Sequence, residues 1–131
     1  MIVLDTHVLI WWVGDRDRIP SKTAALMDRE LKNQGVAVSS ISAWEIGMLV
    51  AKGRLKLAQE VHKWIGSVAT IPGLRFIPVD NRVAINSVNL PGEVHGDPAD
   101  RIIVALARDL GCSLVTADEK LHRYSAIETI W

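Results

Sequence analysis

Two aspartates follow short apolar runs of the kind that form buried strands. Asp5 comes directly after the run Ile2-Val3-Leu4, and Asp118 comes soon after the run that ends at Val115. In open α/β sheets the ligand site lies beyond the carboxyl ends of the strands, so residues at these positions are the first candidates for chemistry. Each aspartate taken alone could equally be a helix N-cap or a turn residue.

Glu45 and Asp100 are two further candidate acids, each near the start of a predicted helix. Glu45 lies three residues after Ser42, which is the spacing of a capping box. The rest of that helix is so apolar that its carboxylate is expected to be partly desolvated, which is costly unless something neutralises the charge. Asp100 is at the third position of a helix that begins at Pro98, and it could face inward near the sheet. Asp97 is the expected N-cap of the same helix.

Carboxylates that converged on one place would repel one another, and protons or cations would have to compensate the charge. Oxygen ligands without cysteine or paired histidine favour a hard ion, Mg²⁺ or Mn²⁺, over zinc. Such an ion activates water and stabilises the charge that develops on a phosphate during hydrolysis. If the acids converge, the expected chemistry is therefore metal-dependent phosphate hydrolysis, but spacing alone does not establish that they do.

The elements that must position these acids alternate between strands and helices. Apolar, β-branched runs predict strands at 2–4, 36–38, 75–79, 112–115 and 127–130. Helical spacing together with Pro and Gly boundaries predicts helices at 7–13, 22–34, 42–52, 59–69, 81–88 and 98–110, and a short one through 121. Pro78 indicates that the third strand lies at an edge or ends early. The alternation predicts an α/β sandwich around a mostly parallel sheet.

Length and composition narrow the class of protein. A chain of 131 residues, 49% hydrophobic, fits one compact domain spanning 1–131. Fifteen basic and fifteen acidic residues give a formal charge of zero, so any contact with nucleic acid must be local. The single cysteine, Cys112, excludes an internal disulfide, and no apolar run approaches the roughly 20 residues of a membrane helix. We therefore expect a cytoplasmic protein that does not enter the membrane.

Four short motifs enclose the candidate acids. In chain order they are Leu4-Asp5-Thr6-His7, Ser42-Ala43-Trp44-Glu45-Ile46, Asp97-Pro98-Ala99-Asp100-Arg101-Ile102-Ile103-Val104-Ala105 and Leu114-Val115-Thr116-Ala117-Asp118. In this order they resemble the motifs of the PIN-domain ribonucleases, most closely the VapC-type toxins of bacterial toxin–antitoxin pairs. Each motif alone is weak, but the four together span nearly the whole chain. The resemblance implies a PIN-like three-layer α/β/α sandwich and an endoribonuclease that depends on Mg²⁺ or Mn²⁺.

The resemblance also implies which residues would act. Carried over by position, it gives an acidic tetrad that is both catalytic and metal-binding: Asp5, Glu45, Asp100 and Asp118. Asp5 and Asp100 would be the firmest metal ligands, direct or through water, and Glu45 would help to bind the metal and orient water. Thr116 matches a hydroxyl position that supports the cluster. Asp97 is either a further supporting ligand or only the helix cap.

The partners implied by the resemblance are an RNA substrate, a small cognate antitoxin and a second copy of the chain in a homodimer. Trp11 and Trp12 point about 100° apart on an apolar helix, so one of them could face a partner, although both could pack within the chain. Basic residues near the acids could contact phosphates or form a solvated face: Lys52, Arg54, Lys56, Arg101, Lys120 and Arg123.

Three other readings of the sequence compete with a nuclease. A receiver domain also binds Mg²⁺ with acids at strand ends, but it should have paired acids after the first strand and a lysine after a late one. Here Asp5 is followed by Thr6, and Asp118 stands near the late strand. A haloacid-dehalogenase-type phosphatase needs an aspartate where this chain has His7. A PIN-like module that binds RNA or protein without cleavage stays open.

Overall fold

Five strands form a parallel central sheet in a computed structural model that describes residues 1–94 and 96–131. They are β1 (Ile2–Leu4), β2 (Val36–Ser39), β3 (Leu74–Ile77), β4 (Ser113–Val115) and β5 (Thr129–Ile130). The strand order is β3-β2-β1-β4-β5, and every neighbouring pair is parallel. The third strand lies at an edge and ends before Pro78, as expected from that proline. The last strand is shorter than predicted and starts only at Thr129.

Seven α-helices connect the strands in the described ranges, and a 3₁₀ turn (Arg16–Arg18) follows the first. They are α1 (Thr6–Gly14), α2 (Ser21–Lys32), α3 (Ile41–Ala51), α4 (Val61–Ala69), α5 (Asn81–Val88), α6 (Pro98–Leu110) and α7 (Glu119–His122). The sequence predicts α6 most accurately, because Pro98 marks its first residue and Gly111, whose φ is +65°, caps its C-terminus after Leu110. The loop predicted from 91 to 96 includes His95, which lies outside the described residues. No helix in the described part of the chain is long and apolar enough to cross a membrane.

The central strands β1 and β2 are buried on both faces, which is why their sequences are almost continuously apolar, whereas the edge strands β3 and β5 are partly exposed. Alternate residues point to opposite sides, so Ile2 and Leu4 belong to one hydrophobic cluster and Val3 to another. Helices α1 to α4 contribute to the first cluster, for example through Met27 of α2, and helices α5 to α7 contribute to the second, for example through Ile103 of α6. The result is the expected α/β/α sandwich.

The order of the strands creates a crevice beside β1. The chain runs from β1 outward to β2 and β3, and then returns to place β4 and β5 on the other side of β1. The carboxyl ends of β1 and β4 therefore flank a topological switch point, where parallel α/β sheets bind their ligands. Asp5, directly after β1, donates its backbone N–H to the carbonyl of Val115 at the end of β4, with an N···O distance of 3.0 Å.

A close approach of two backbone segments requires glycine at position 73. Gly73 has a φ of +87°, and a Cβ there would lie 2.1 Å from the carbonyl oxygen of Leu31. Gly73→Ala is expected to lower the free energy of unfolding by about 3 kcal/mol or more, because a clash with backbone adds to left-handed strain of about 1–2 kcal/mol. Gly53 has a φ of +70° with open space around it, so Gly53→Ala should show the strain alone. Urea denaturation measures both, and equal losses would contradict the proposed clash.

Candidate active site

Asp5 lies at the crevice with both carboxylate oxygens hydrogen-bonded. Its side chain is buried, Oδ1 accepts from the backbone N–H of Thr6 (2.8 Å), and Oδ2 accepts from the hydroxyl of Thr116 (2.7 Å). Burial raises the pKa of Asp5, whereas the hydrogen bonds from Thr116 and Thr6 lower it. These two hydrogen bonds fix the orientation of the Asp5 carboxylate. Because a carboxylate has about four lone-pair sites, its oxygens can still bind a ligand.

The turn after β4 brings Asp118 to the same crevice. The buried Thr116 hydroxyl, which donates to Asp5, also accepts from the backbone N–H of Asp118 (3.1 Å). Asp118 is the N-cap of α7, and its Oδ1 accepts from the backbone N–H of Lys120 (2.8 Å). One threonine thus links the two acids that follow the adjacent strands β1 and β4.

Glu45 reaches the crevice from α3 and is held by Thr6. The Thr6 hydroxyl donates to Oε1 of Glu45 (2.5 Å) and lies 2.8 Å from Oγ of Ser42. The capping box inferred from the sequence is wrong, because Ser42 is fully buried inside the helix and Ser40 occupies the N-cap position. Burial raises the pKa of Glu45 most, and the charges of Asp5 and Asp97 raise it further, against a lowering by the Thr6 hydrogen bond. The expected desolvation of this carboxylate is therefore present.

The N-terminus of α6 supplies the remaining acids. Oδ1 of Asp97 accepts from the backbone N–H groups of Ala99 (2.9 Å) and Asp100 (3.2 Å), which is the N-cap geometry expected from the sequence. Asp100 is half-buried one turn into the helix. Its pKa is raised to about 8, first by burial and then by the negative charges of Asp5, Asp97, Glu45 and Asp118. These charges act strongly on one another.

All five carboxylates line one cavity of about 370 Å³, together with His7, Trp11 and Ala117: Asp5, Glu45, Asp97, Asp100 and Asp118. Burial is the largest cause of the raised pKa values of Asp5, Glu45 and Asp100, and the neighbouring negative charges add a repulsion that a bound cation would relieve. The all-oxygen donor set fits a hard divalent ion by its chemistry. Within residues 1–94 and 96–131, no three His, Cys, Asp or Glu side chains already stand as a set able to hold a metal ion. Because Asp5 and Glu45 are held by hydrogen bonds, the other acids would have to turn towards them to bind it.

None of the six basic residues named from the sequence is among the described residues that line this cavity. The guanidinium of Arg101 donates hydrogen bonds to the carbonyl oxygens of Ser87 (2.9 Å), in α5, and of Val94 (3.3 Å), further along the chain. It therefore links α6 to the end of α5 and to Val94. Arg54 and Lys56 instead line a larger cleft of about 720 Å³. The two cavities share His7 and Trp11 in their walls.

The two adjacent tryptophans diverge as their spacing predicts. Trp12 is buried and donates its indole N–H to Oδ1 of Asp28 (3.2 Å). Trp11 is half-buried, and its ring centroid lies 5.9 Å from that of His7 and 5.9 Å from that of Trp131. Trp11 is therefore the member of the pair that borders both cavities.

Sequence reasoning overlooked Thr6 and Ser42. Both lie inside motifs that are recognised for their acids, but the sequence suggests no role for Thr6 and only a capping-box role for Ser42. The only available signal was the position of a polar residue beside Asp5 and another three residues before Glu45. Their contact joins residues 36 apart in the chain, which spacing does not reveal.

The amino-acid sequence of this chain is similar to those of known proteins. The family model described as PIN domain matches residues 2–127. A protein named ribonuclease VapC22, from Mycobacterium tuberculosis (strain ATCC 25618 / H37Rv), is 33% identical over 132 residues, which cover 99% of this chain and 98% of that protein.

Solved structures show the same fold at lower identity. VapBC2 from Rickettsia felis, bound to a DNA fragment from its promoter, contains a chain with a TM-score of 0.73 at 20% identity, covering 99% of this chain and 98% of that one. FitAcB from Neisseria gonorrhoeae gives a TM-score of 0.67 at 22% identity, with coverage of 100% and 97%. The PIN-like fold expected from the four motifs is confirmed.

The raised pKa of Asp100 gives stability a pH dependence when divalent cations are removed. Between its ordinary pKa of 3.8 and the folded value of about 8, the folded state binds the proton more tightly, so stability is lost as the pH rises through this window. The side chain introduced by Asp100→Asn cannot ionise. In EDTA, this variant is expected to have a melting temperature about 3–5 °C above that of the wild-type protein near pH 9, where the expected gain is already reduced because Asp100 is partly solvated. Near pH 5 the gain should be smaller.

Asp28→Asn is the matched control of opposite sign. The hydrogen bond from Arg16 is the main cause that lowers the pKa of Asp28. The Asp28 carboxylate therefore stabilises the fold at pH values above its ordinary pKa of 3.8, and this contribution is lost as the pH falls through the lowered pKa of the folded state. This variant should melt slightly lower at neutral pH, because the carboxylate is half-exposed. A gain for Asp100→Asn that did not vary with pH would contradict the repulsion.

Proposed function

The chain belongs to the PIN domain family, and from this membership we propose that it is a metal-dependent endoribonuclease acting as the toxin of a toxin–antitoxin pair. The observation that carries the proposal is the convergence of five carboxylates on one cavity at the switch point of the sheet. The relative named as a ribonuclease supports RNA as the substrate, and the toxin–antitoxin structures with the same fold support the biological setting. In this proposal residues 1–131 work as one domain in the cytoplasm.

The proposed site uses the four acids of the tetrad. Asp5 and Asp100 would hold Mg²⁺ or Mn²⁺ directly or through water, Glu45 would help to hold the ion and orient water, and Asp118 would complete the cluster. Thr116 keeps Asp5 oriented through its hydroxyl, with an O···O distance of 2.7 Å. We assign Asp97 the role of helix cap, with its charge as a secondary contribution to the site.

The chemistry follows from charge and orientation. When bound, a divalent cation lowers the pKa of water and stabilises the charge that develops on the phosphate. The carboxylates would hold the ion, whose positive charge would offset their repulsion of an anionic substrate. Glu45, whose pKa is raised mainly by burial, accepts a proton more readily than a solvated glutamate does, which suits a residue that orients and deprotonates water.

We propose that the antitoxin binds in the larger cleft. Its lining is largely apolar, and Arg54 and Lys56 add positive charge beside the Arg18–Asp15 ion pair, so it suits an amphipathic segment that carries acidic residues. Because Trp11 lies in the wall shared with the acidic cavity, a segment seated there would also restrict access of RNA to the acids. For a homodimer, the exposed apolar side chains of Ile85 and Val88 on α5 are the candidate contact surface.

Purified protein is expected to cleave a panel of structured RNAs with Mg²⁺ or Mn²⁺ and not with EDTA. Asp100→Asn should lower the cleavage rate at least about 100-fold, because it removes a charged ligand. Asp109→Asn is the matched control: Asp109 lies on the same helix and pairs with Arg82 at 2.7 Å, away from the cavity, so its rate should be unchanged. Gel analysis of the products measures both.

The outcomes of that assay separate the competing functions. Equal cleavage by the wild-type protein and Asp100→Asn would contradict the site and point to a contaminating nuclease. RNA binding without cleavage, in the presence of Mn²⁺, would instead favour the non-catalytic PIN-like module.

Binding of the cognate antitoxin, sought as the product of a small neighbouring reading frame, should depend on Trp11. Trp11→Ala is expected to weaken the complex about 30-fold, the effect of a typical aromatic anchor. Trp44→Ala is the matched control, since Trp44 is 58% exposed and does not line the cleft. Isothermal titration calorimetry gives both affinities. Equal weakening by the two substitutions would place the antitoxin elsewhere.

A further inference from the structure

The short connection between β1 and α1 controls two acids through two neighbouring residues. Asp5 contributes its own carboxylate, and Thr6 donates its hydroxyl hydrogen to Oε1 of Glu45 (2.5 Å), which lies 39 residues further along the chain. Thr6 is 1% exposed, so water cannot replace this bond. Threonines at helix starts often bond to local backbone, but this hydroxyl is used to reach another helix.

The direction of the hydrogen bonds in this cluster is set by counting hydrogens. A hydroxyl has one hydrogen to donate, and Thr6 gives its hydrogen to Glu45. The contact of 2.8 Å between Thr6 Oγ1 and Ser42 Oγ must therefore have Ser42 as the donor. Ser42 is fully buried and stands one turn before Glu45 on α3. We call the chain of bonds from Ser42 through Thr6 to Glu45 the hydroxyl relay.

We propose that Ser42 and Thr6 are positioning residues, and that the hydroxyl relay holds the Glu45 carboxylate at the cavity in the orientation needed to bind a divalent cation. This inference rests on the proposed function, because it assumes that the acids bind such an ion. A glutamate side chain has several rotamers, and binding an ion normally restricts it to one of them at a cost in conformational entropy. Because the hydroxyl relay already holds Glu45 in one rotamer, ion binding would not carry this cost. Glu45 lines the cavity while one of its oxygens is already held from behind.

A buried hydroxyl can stabilise a fold without affecting ion binding, so the two roles are separated by measuring Mn²⁺ affinity directly. Thr6→Val keeps the β-branched shape but removes the hydroxyl, and it is expected to weaken Mn²⁺ binding about 10- to 100-fold, measured from the free-ion signal in electron paramagnetic resonance. Thr6→Ser restores the donor and should recover the affinity to within about threefold. Thr23→Val is the control, since Thr23 is buried in α2 and does not line the acidic cavity.

A double-mutant cycle shows whether Thr6 acts through Glu45. In a Glu45→Ala background, Thr6→Val should cause no further loss of Mn²⁺ affinity, because the group that it positions is gone. If Thr6→Val does not fold, Ser42→Ala takes its place in the same cycle, with an expected loss of about twofold to fivefold that disappears in the Glu45→Ala background.

The possible failures are distinguishable. A wild-type protein that binds no Mn²⁺ in any of these measurements would overturn the proposed function and this inference with it. A wild-type protein that binds Mn²⁺ and cleaves RNA, while Thr6→Val binds Mn²⁺ as tightly as Thr23→Val does, would overturn the hydroxyl relay alone. A loss of affinity in Thr6→Val that persists undiminished without Glu45 would do the same.

Discussion

Repulsion among carboxylates gathered at one cavity is the constraint on which the site depends. Five acids from four separate parts of the chain meet there, and the pKa of Asp100 rises to about 8 as a result of burial and of the other charges. A fold maintains such an arrangement only if the rest of the structure holds the acids in place. The parallel sheet does so by packing its strands between two hydrophobic layers, which leaves their carboxyl ends with little freedom.

Hydrogen-bond donors then compensate part of the charge. Asp5, Asp97 and Asp118 are the N-caps of α1, α6 and α7, so each of these carboxylates accepts from a backbone N–H at a helix start. Helix N-termini carry partial positive charge, which favours nearby anions. Buried hydroxyls supply the other donors, with Thr116 beneath Asp5 and Thr6 beneath Glu45. The acids are thus held from behind by donors, and a cation could complete the compensation from the side of the cavity.

The sequence predicted the architecture well wherever the signal was local. Apolar runs gave the buried strands, and Asp97, Pro98 and Gly111 marked the ends of α6 because capping depends on neighbouring residues. Treating helix capping and site chemistry as competing roles for Asp5 and Asp118 was too strict, since both aspartates cap a helix and also line the cavity. The capping-box assignment of Ser42 failed because α3 begins at Ile41, which leaves Ser42 inside the helix, where its hydroxyl contacts that of Thr6. Contacts of this kind depend on tertiary packing, so spacing could not predict them.

We propose that these acids converge in order to bind a divalent cation. Diffraction from crystals grown with Mn²⁺, recorded to give an anomalous difference map, would locate that ion. We expect a peak inside the acidic cavity at about 2.1 Å from carboxylate oxygens of Asp5 and Asp100, with Glu45 still hydrogen-bonded to Thr6. Absence of a peak in this cavity, at an Mn²⁺ concentration that supports RNA cleavage, would show that the acids do not bind the ion there.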